Sequence, residues 1–292
     1  MARRASRDPI GGSGDVDPPL PMRASLPMRA PLPTDHHALP PLDPIFGAAL
    51  EAGLTDLGLS LTSGVRAAIE AQARLLLAWS GSVNLSAHRT PERIAREHVI
   101  DSLTCLPLLE GTASLLDLGS GAGYPGLPLA VAGGIQRVAL VDSIGKKARF
   151  LAVAWAAARS ELVDHGLPGP DVAVLDARAE DLARDDAHRA GWDVVTARAV
   201  APLADLVEIC LPLLRLGGQL IAWKRDDGAG SLERELGAAR LALRICGGAA
   251  PNVHRVPLAG LEDHRLVVIA KQRSTPDELP RPVAERRRTL LR

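Results

Sequence analysis

Asp117, Gly119, Gly121 and Gly123 alternate through the stretch Ser-Leu-Leu-Asp-Leu-Gly-Ser-Gly-Ala-Gly-Tyr-Pro-Gly at 114 to 126. The spacing suits the holding of a nucleotide-shaped cofactor. Leu115, Leu116 and Leu118 read as a buried strand that delivers the acid to the mouth of a loop. Glycine carries no Cβ, so the three glycines can take positive φ and let the backbone approach a ligand closely. The helix that follows begins with unpaired N–H groups, which favour an anionic or polar guest. A glycine turn without any ligand would show the same residues.

The choice of cofactor turns on Asp117. Residues 121 to 126 match the Gly-x-Gly-x-x-Gly dinucleotide fingerprint, so a nicotinamide or flavin is one reading of the loop. An acid two residues before the first glycine would repel a pyrophosphate. It would instead attract the ammonium group at the methionine end of S-adenosylmethionine (SAM), and Asp117-x-Gly119-x-Gly121-x-Gly123 resembles motif I of the SAM methyltransferases.

The other candidates stand at strand ends. Asp142 closes Val-Ala-Leu-Val-Asp, where a carboxylate can accept hydrogen bonds from both ribose hydroxyls; an ordinary strand-end aspartate is the plain alternative. Ala179 and Glu180 fall where an adenine edge would lie, although Glu180 also suits the first turn of a helix. Arg198 ends Trp-Asp-Val-Val-Thr-Ala-Arg and offers a planar, five-donor cation to a cofactor carboxylate or an RNA phosphate; a structural ion pair with Asp205 is the competing reading. Lys224 can meet a phosphate as a point charge or be a solvated strand-end lysine. Tyr124, the only tyrosine, can pack on cofactor or target base, or simply on the helix start. His98, Asp101 and Ser102 lie at i, i+3 and i+4, one face of an α-helix. They form either a polar cluster over the cofactor mouth or a structural one, and Ser102 lacks the strained elbow of a nucleophile.

These residues need elements to hold them. The 292 residues, 47% hydrophobic, support one substantial core with appendages. Residues 1 to 43 are rich in proline and arginine, repeat Leu-Pro-Met-Arg-Ala at 20 and 26, and are expected to be a disordered extension. All three methionines lie there, which raises Met22 or Met28 as the true start of translation. Helical periodicity over 44 to 110 predicts a helical subdomain, with Thr90 capping a turn that opens on Pro91 and Glu92. Strands are predicted at 114–118, 137–142, 171–176, 193–197, 219–224, 252–256 and 265–270, with helices at 145–163 and 202–215. Such alternation makes an α/β domain over 111 to 272, a mostly parallel sheet whose ligands gather at the carboxyl ends of its strands.

Thirty-four basic residues balance 34 acidic ones, so attraction to nucleic acid has to be local. The tail from 273 to 292 is the clearest basic patch, with Arg273, Arg281, Arg286, Arg287, Arg288 and Arg292, and is expected to be disordered and to touch phosphates, or else only to solubilise. Cys105, Cys210 and Cys246 sit in apolar surroundings without CxxC spacing, which reads as core in a reducing cytosol. No bilayer-spanning run and no signal peptide are present, so a cytoplasmic protein is expected. No metal ligands cluster at a useful spacing, and no metal is expected.

Asn84-Leu-Ser86, His98-Val-Ile-Asp101-Ser102-Leu, the glycine loop, Asp142-Ser-Ile-Gly-Lys-Lys with Phe150-Leu, Arg178-Ala-Glu180 and Thr196-Ala-Arg198-Ala together resemble the RsmG (GidB) family over residues 65 to 271. The resemblance implies a class I SAM-dependent methyltransferase fold, Rossmann-like with a seven-stranded mostly parallel sheet. It implies methylation of guanine 527 at N7 in the 530 loop of bacterial 16S rRNA, with the rRNA or the small ribosomal subunit as partner and the chain as a monomer. It places SAM contacts on Gly119, Tyr124, Ala179, Glu180 and Arg198. Where the family has Lys-Gly after the fifth strand, this chain has Lys224-Arg225.

The residues agree with an N7 target. Guanine N7 has a lone pair and no proton, so positioning suffices and no catalytic base is required. The Asp/Asn-Pro-Pro-aromatic motif of exocyclic amine methyltransferases is missing, and Thr-Ala-Arg-Ala stands after the fourth strand. Three readings stay open beside this one: a nicotinamide oxidoreductase, an RNA-binding assembly factor without turnover, and a methyltransferase acting on another RNA, a small molecule or a protein.

Overall fold

The structure, a computed structural model, describes residues 31–256, 258–288 and 291. The repeat and the alternative start sites at Met22 and Met28 lie outside these residues.

Seven strands form one sheet: β1 (Ser114–Leu118), β2 (Arg137–Asp142), β3 (Asp171–Asp176), β4 (Trp192–Arg198), β5 (Leu214–Arg225), β6 (Asn252–Arg255) and β7 (His264–Ala270). Their order is β3-β2-β1-β4-β5-β7-β6. The first five run parallel, whereas β7 is antiparallel to β5 and to β6. This is the Rossmann-like, mostly parallel sheet that the alternation predicts. β1 is buried along its whole length because helices cover both its faces, which is why it reads as an unbroken apolar run around one aspartate. The order reverses between β1 and β4, so a crevice opens above their carboxyl ends. Among the described residues no helix is long and apolar enough to cross a membrane.

The helix expected over 202 to 215 is shorter, Leu203–Cys210, and β5 starts earlier than predicted. Pro212 has no N–H with which to continue the helix, and the chain makes a 3₁₀ turn over Leu211–Leu213 into the sheet.

The front helices are Pro44–Leu57, opened by the Asp43 side chain accepting from the Ile45 amide at 2.9 Å, and Ser63–Trp79, capped by Thr62. They share one core with the sheet. Ile69, Leu75, Leu76 and Trp79 are wholly buried, and Trp79 meets Phe150 of the helix Gly145–Asp164 edge-on at 5.4 Å. Burial of each such side chain is worth about 1.5–3 kcal/mol. The segment therefore packs into the same core as one face of the sheet.

Two stretches expected to be disordered are packed. In the front extension, Leu32, Leu39 and Leu42 lie against the core, the Trp79 indole donates to the Pro33 carbonyl at 2.7 Å, and buried His36 meets Glu161 at 2.7 Å. Residues 32 to 43, included in the extension expected to be disordered, therefore belong to the packed fold. In the tail, Arg184 and Arg189 fasten the backbone by donating to the carbonyls of Pro280, Leu279 and Pro276. Arg281 grips Glu208 bidentately at 2.9 and 2.7 Å. Glu208 is completely buried, and an unpaired carboxylate there would be expensive, so it draws a guanidinium out of the tail.

Candidate functional site

The glycine loop is fixed from beneath by the aspartate that introduces it. Asp117 accepts from the Thr196 hydroxyl at 2.8 Å and from the Gly126 amide at 3.0 Å, tying β1 to β4 and to the first turn of the helix Gly126–Ala132. Ser120 adds a rivet to β2, donating to the Asp117 carbonyl at 2.9 Å and accepting from the Val141 amide at 3.1 Å. Burial pushes the Asp117 carboxyl up to about 6 against the pull of those hydrogen bonds. Asp117 is wholly buried and lines neither cavity described below. The expectation that it meets a cofactor ammonium is not met in this geometry: one oxygen is held by Thr196 of β4 and the other by Gly126, and the carboxylate faces neither cavity. Gly119, Gly121 and Gly123 do have positive φ of 71, 57 and 87°. A Cβ on Gly119 would stand 2.6 Å from Val200 Cγ2, whereas one on Gly121 would meet nothing closer than the Gly119 carbonyl at 3.7 Å. A Cβ on Gly123 would stand 2.7 Å from the Gln72 amide nitrogen, so that glycine serves close packing of the helix Ser63–Trp79.

Two cavities meet at Gly119. The first, about 820 Å³, follows the carboxyl ends of β1, β2 and β3 past Asp142, Ala179 and Glu180 to Asp205 and Arg286. Asp142 accepts from the Gly121 amide at 3.0 Å and the Ile144 amide at 2.9 Å, which aims its carboxylate along the cavity wall. Glu180 is buried and pairs with Arg286, which also pairs with Asp205. Arg286, Val283 and Arg288 bring the tail helix Val283–Arg288 to this wall. Arg281 and Arg286 are thus occupied inside the protein, which corrects the picture of a free phosphate-binding tail.

The second cavity, about 520 Å³, is lined by residues from seven separate parts of the chain, among them Ser86, His98, Tyr124, Arg198, Trp223 and His264. Arg198 organises it. Its guanidinium donates to Asp101 Oδ2 at 3.0 Å, to the Glu97 carbonyl at 3.2 Å and to His98 Nδ1 at 3.0 Å. The partner considered from sequence, Asp205, belongs to Arg286 instead. His264 holds the other Asp101 oxygen at 2.8 Å. His98 stacks on Tyr124 with ring centres 4.6 Å apart, and Tyr124 is buried with its hydroxyl lacking a hydrogen-bond partner. Burial and the Arg198 charge push His98 down to about 2, so its ring is neutral. Ala199, next in the chain, has φ 56° without being glycine, a local strain that puts Arg198 and Val200 on different cavities.

His98 lies in a π-helical turn, Ile94–Ile100, between short α turns Pro91–Arg93 and Asp101–Leu103. The α-face argument therefore fails in its geometry. His98 and Asp101 do converge on Arg198, but Ser102 turns back to donate to the His98 carbonyl at 2.5 Å. Thr90 does cap the first of these turns. Lys224 lines the second cavity with its ammonium already held by Glu235 at 2.6 Å and the Ala201 carbonyl at 2.9 Å. In place of the family's Lys-Gly turn, Arg225 continues β5 and pairs with Asp263 at 2.8 Å.

Sequence reasoning missed His264, Glu97 and His88, and read Arg286 as part of a free basic tail rather than of the first cavity's wall. None sits in a motif; each reaches the site through packing between distant segments. All three cysteines are buried away from both cavities. Contrary to the expectation that no potential metal ligands gather, Asp35, His36 and His37 bring ligand atoms within 4.8 Å of one another in the front segment, with His36 already on Glu161.

A family described as rRNA small subunit methyltransferase G (GidB) matches residues 66–256. Relatives bearing the name ribosomal RNA small subunit methyltransferase G include one from Roseiflexus sp. strain RS-1, 46% identical over 71% of this chain and 84% of its own. Another, from Rubrobacter xylanophilus, is 42% identical over 71% and 77%, and a third, from Desulforamulus reducens, is 36% identical over 80% and 92%.

Proposed function

Because the chain belongs to the rRNA small subunit methyltransferase G (GidB) family, we propose that it transfers the methyl group of SAM to N7 of guanine 527 in the 530 loop of 16S rRNA. The observation that carries this reading is the order of groups along the first cavity: the Gly119 backbone, then Asp142, then Ala179 and Glu180. That order fits methionine, ribose and adenine in turn, and at Gly119, with φ 71° and a Cβ position 2.6 Å from Val200, a side chain would not fit. Asp142 suits the ribose diol, and Glu180 suits the adenine amino group.

When bound, SAM supplies a methyl group on a cationic sulfonium that a lone pair can attack in line. The protein's part is to orient and to exclude water. Gly119 borders both cavities, so a base seated in the second cavity faces the donor across a single residue. Tyr124 and His98 give that base a stacked, apolar wall. Guanine N7 carries no proton, and neutral His98, buried and held by Arg198, is not poised to remove one. Orientation alone can supply about 7–11 kcal/mol of barrier lowering.

The test is to incubate small subunits and free 16S rRNA from a strain lacking the gene with the protein and tritiated SAM, then map the modified base. Label at N7 of guanine 527 is expected. Label elsewhere would redirect the assignment, and binding of NADH in preference to SAM by calorimetry would end it.

A further inference from the structure

We infer that Ser86 donates its hydroxyl proton to O6 of the target guanine and so distinguishes guanine from adenine. The inference rests on the N7-guanine reading above and assigns a role to the Asn84-Leu-Ser86 stretch, which that reading leaves unused.

A guanidinium has no acceptor. Arg198 Nη2 lies 3.0 Å from His98 Nδ1, so Nδ1 must present its lone pair. The buried ring is neutral, and its single proton therefore sits on Nε2. Nε2 is 2.5 Å from Ser86 Oγ, which accepts that proton's hydrogen bond. The main-chain amide of His88 donates to the same oxygen at 2.9 Å. A hydroxyl oxygen has two lone pairs, and both are now used. What remains is the O–H itself, on a side chain that lines the second cavity beside His98 and Tyr124. Arg198, two bonds removed, thus converts an ambivalent hydroxyl into an obligate donor.

Guanine presents N7 and O6 as adjacent acceptors on one edge, whereas adenine places an amino donor at the position of O6. A base that brings N7 to the methyl group necessarily brings this sixth position into the same cavity. An obligate donor there pairs with guanine and opposes adenine. Lys224 and Arg225, also on the cavity, are engaged by Glu235 and Asp263.

The experiment uses 16S rRNA ligated to carry guanine, hypoxanthine or 2-aminopurine at the target position and assembled into small subunits. Hypoxanthine keeps O6 and loses the 2-amino group; 2-aminopurine does the reverse, and both keep N7. Ser86→Ala is expected to lower kcat/KM about five-fold for guanine and hypoxanthine, the usual effect of one neutral hydrogen bond, and to leave 2-aminopurine at the wild-type rate. Ser86→Thr, which keeps the hydroxyl, is expected to restore the preference, and SAM affinity by calorimetry is expected to be unchanged in both variants. Equal losses on all three bases, or no loss on any, overturns the inference while leaving the N7 reading intact. Failure of the wild-type protein to label the guanine substrate removes the N7 reading itself, and the inference falls with it.

Discussion

The two cavities that meet at Gly119 are built in different ways. The first is made of strand ends and the residues just after them, and its charges balance: Asp142, Glu180 and Asp205 face Arg178, Arg286 and Arg288. The second is assembled from the front segment, the π-helical turn, the glycine loop and the ends of β4, β5 and β7. It carries four permanent cations, Lys147, Arg198, Lys224 and Arg225, of which Arg198, Lys224 and Arg225 are held by Asp101, Glu235 and Asp263. A neutral balance suits a guest held by directed hydrogen bonds. In the second cavity Lys147 alone of the four has no carboxylate partner among the described residues, so positive charge there is local and small.

The comparison can be broken at several points. Arg286→Ala strips the partner from buried Glu180 and leaves Asp205 facing it. We expect a loss of about 3 kcal/mol of stability, the usual effect of orphaning a buried charge, read by chemical denaturation; a loss below about 1 kcal/mol would mean that the tail is not part of the first wall. Asp142→Ala should weaken SAM binding about 100-fold by calorimetry, two charge-assisted hydrogen bonds' worth, with RNA capture unchanged. Loss of both together would show that the cavities are not independent.

His98→Gln sharpens the second side through pH. The folded protein keeps His98 neutral down to about 2, whereas the unfolded chain binds a proton near 6.5. The unfolded state therefore holds more protons below 6.5, and wild-type stability falls on acidification. Between pH 7 and pH 5 this group should account for a loss of about 2 kcal/mol that the variant lacks. Parallel stability curves for the two proteins would count against a neutral, buried ring. The smallest effect is expected at the junction. Ala199→Gly relieves a left-handed alanine and should raise stability by about 1 kcal/mol in thermal or chemical denaturation, with kcat lowered as the Arg198 and Val200 directions loosen.

The same division explains what could be read in the sequence. Asp142, Ala179 and Glu180 were legible because a parallel sheet delivers its ligands at strand ends, and a strand end is visible as the last polar residue of an apolar run. Arg198 was legible by the same rule, but its partner was not. Asp101, Glu97 and His264 approach it through tertiary packing, and Asp205, nearer in sequence, is claimed by Arg286 from the tail. Asp117 was found for the right pattern and the wrong reason, since spacing cannot show which way a carboxylate turns. The tail misled because composition reports charge and is silent about buried acids such as Glu208 and Glu180, which draw arginines inward.

The turn at Ile94–Ile100 winds with i to i+5 hydrogen bonds, one residue more per turn than an α-helix. Removing a single residue there would let it relax to ordinary winding with little change in the direction of the flanking turns, because the wider turn spends one residue more on nearly the same rotation. The side chains inside the turn would be re-spaced, and His98 would no longer meet Arg198 in step with Asp101, although every residue type needed for the site would still be present. The number of residues in this segment is itself a requirement of the pocket, one that no inspection of individual side chains would reveal.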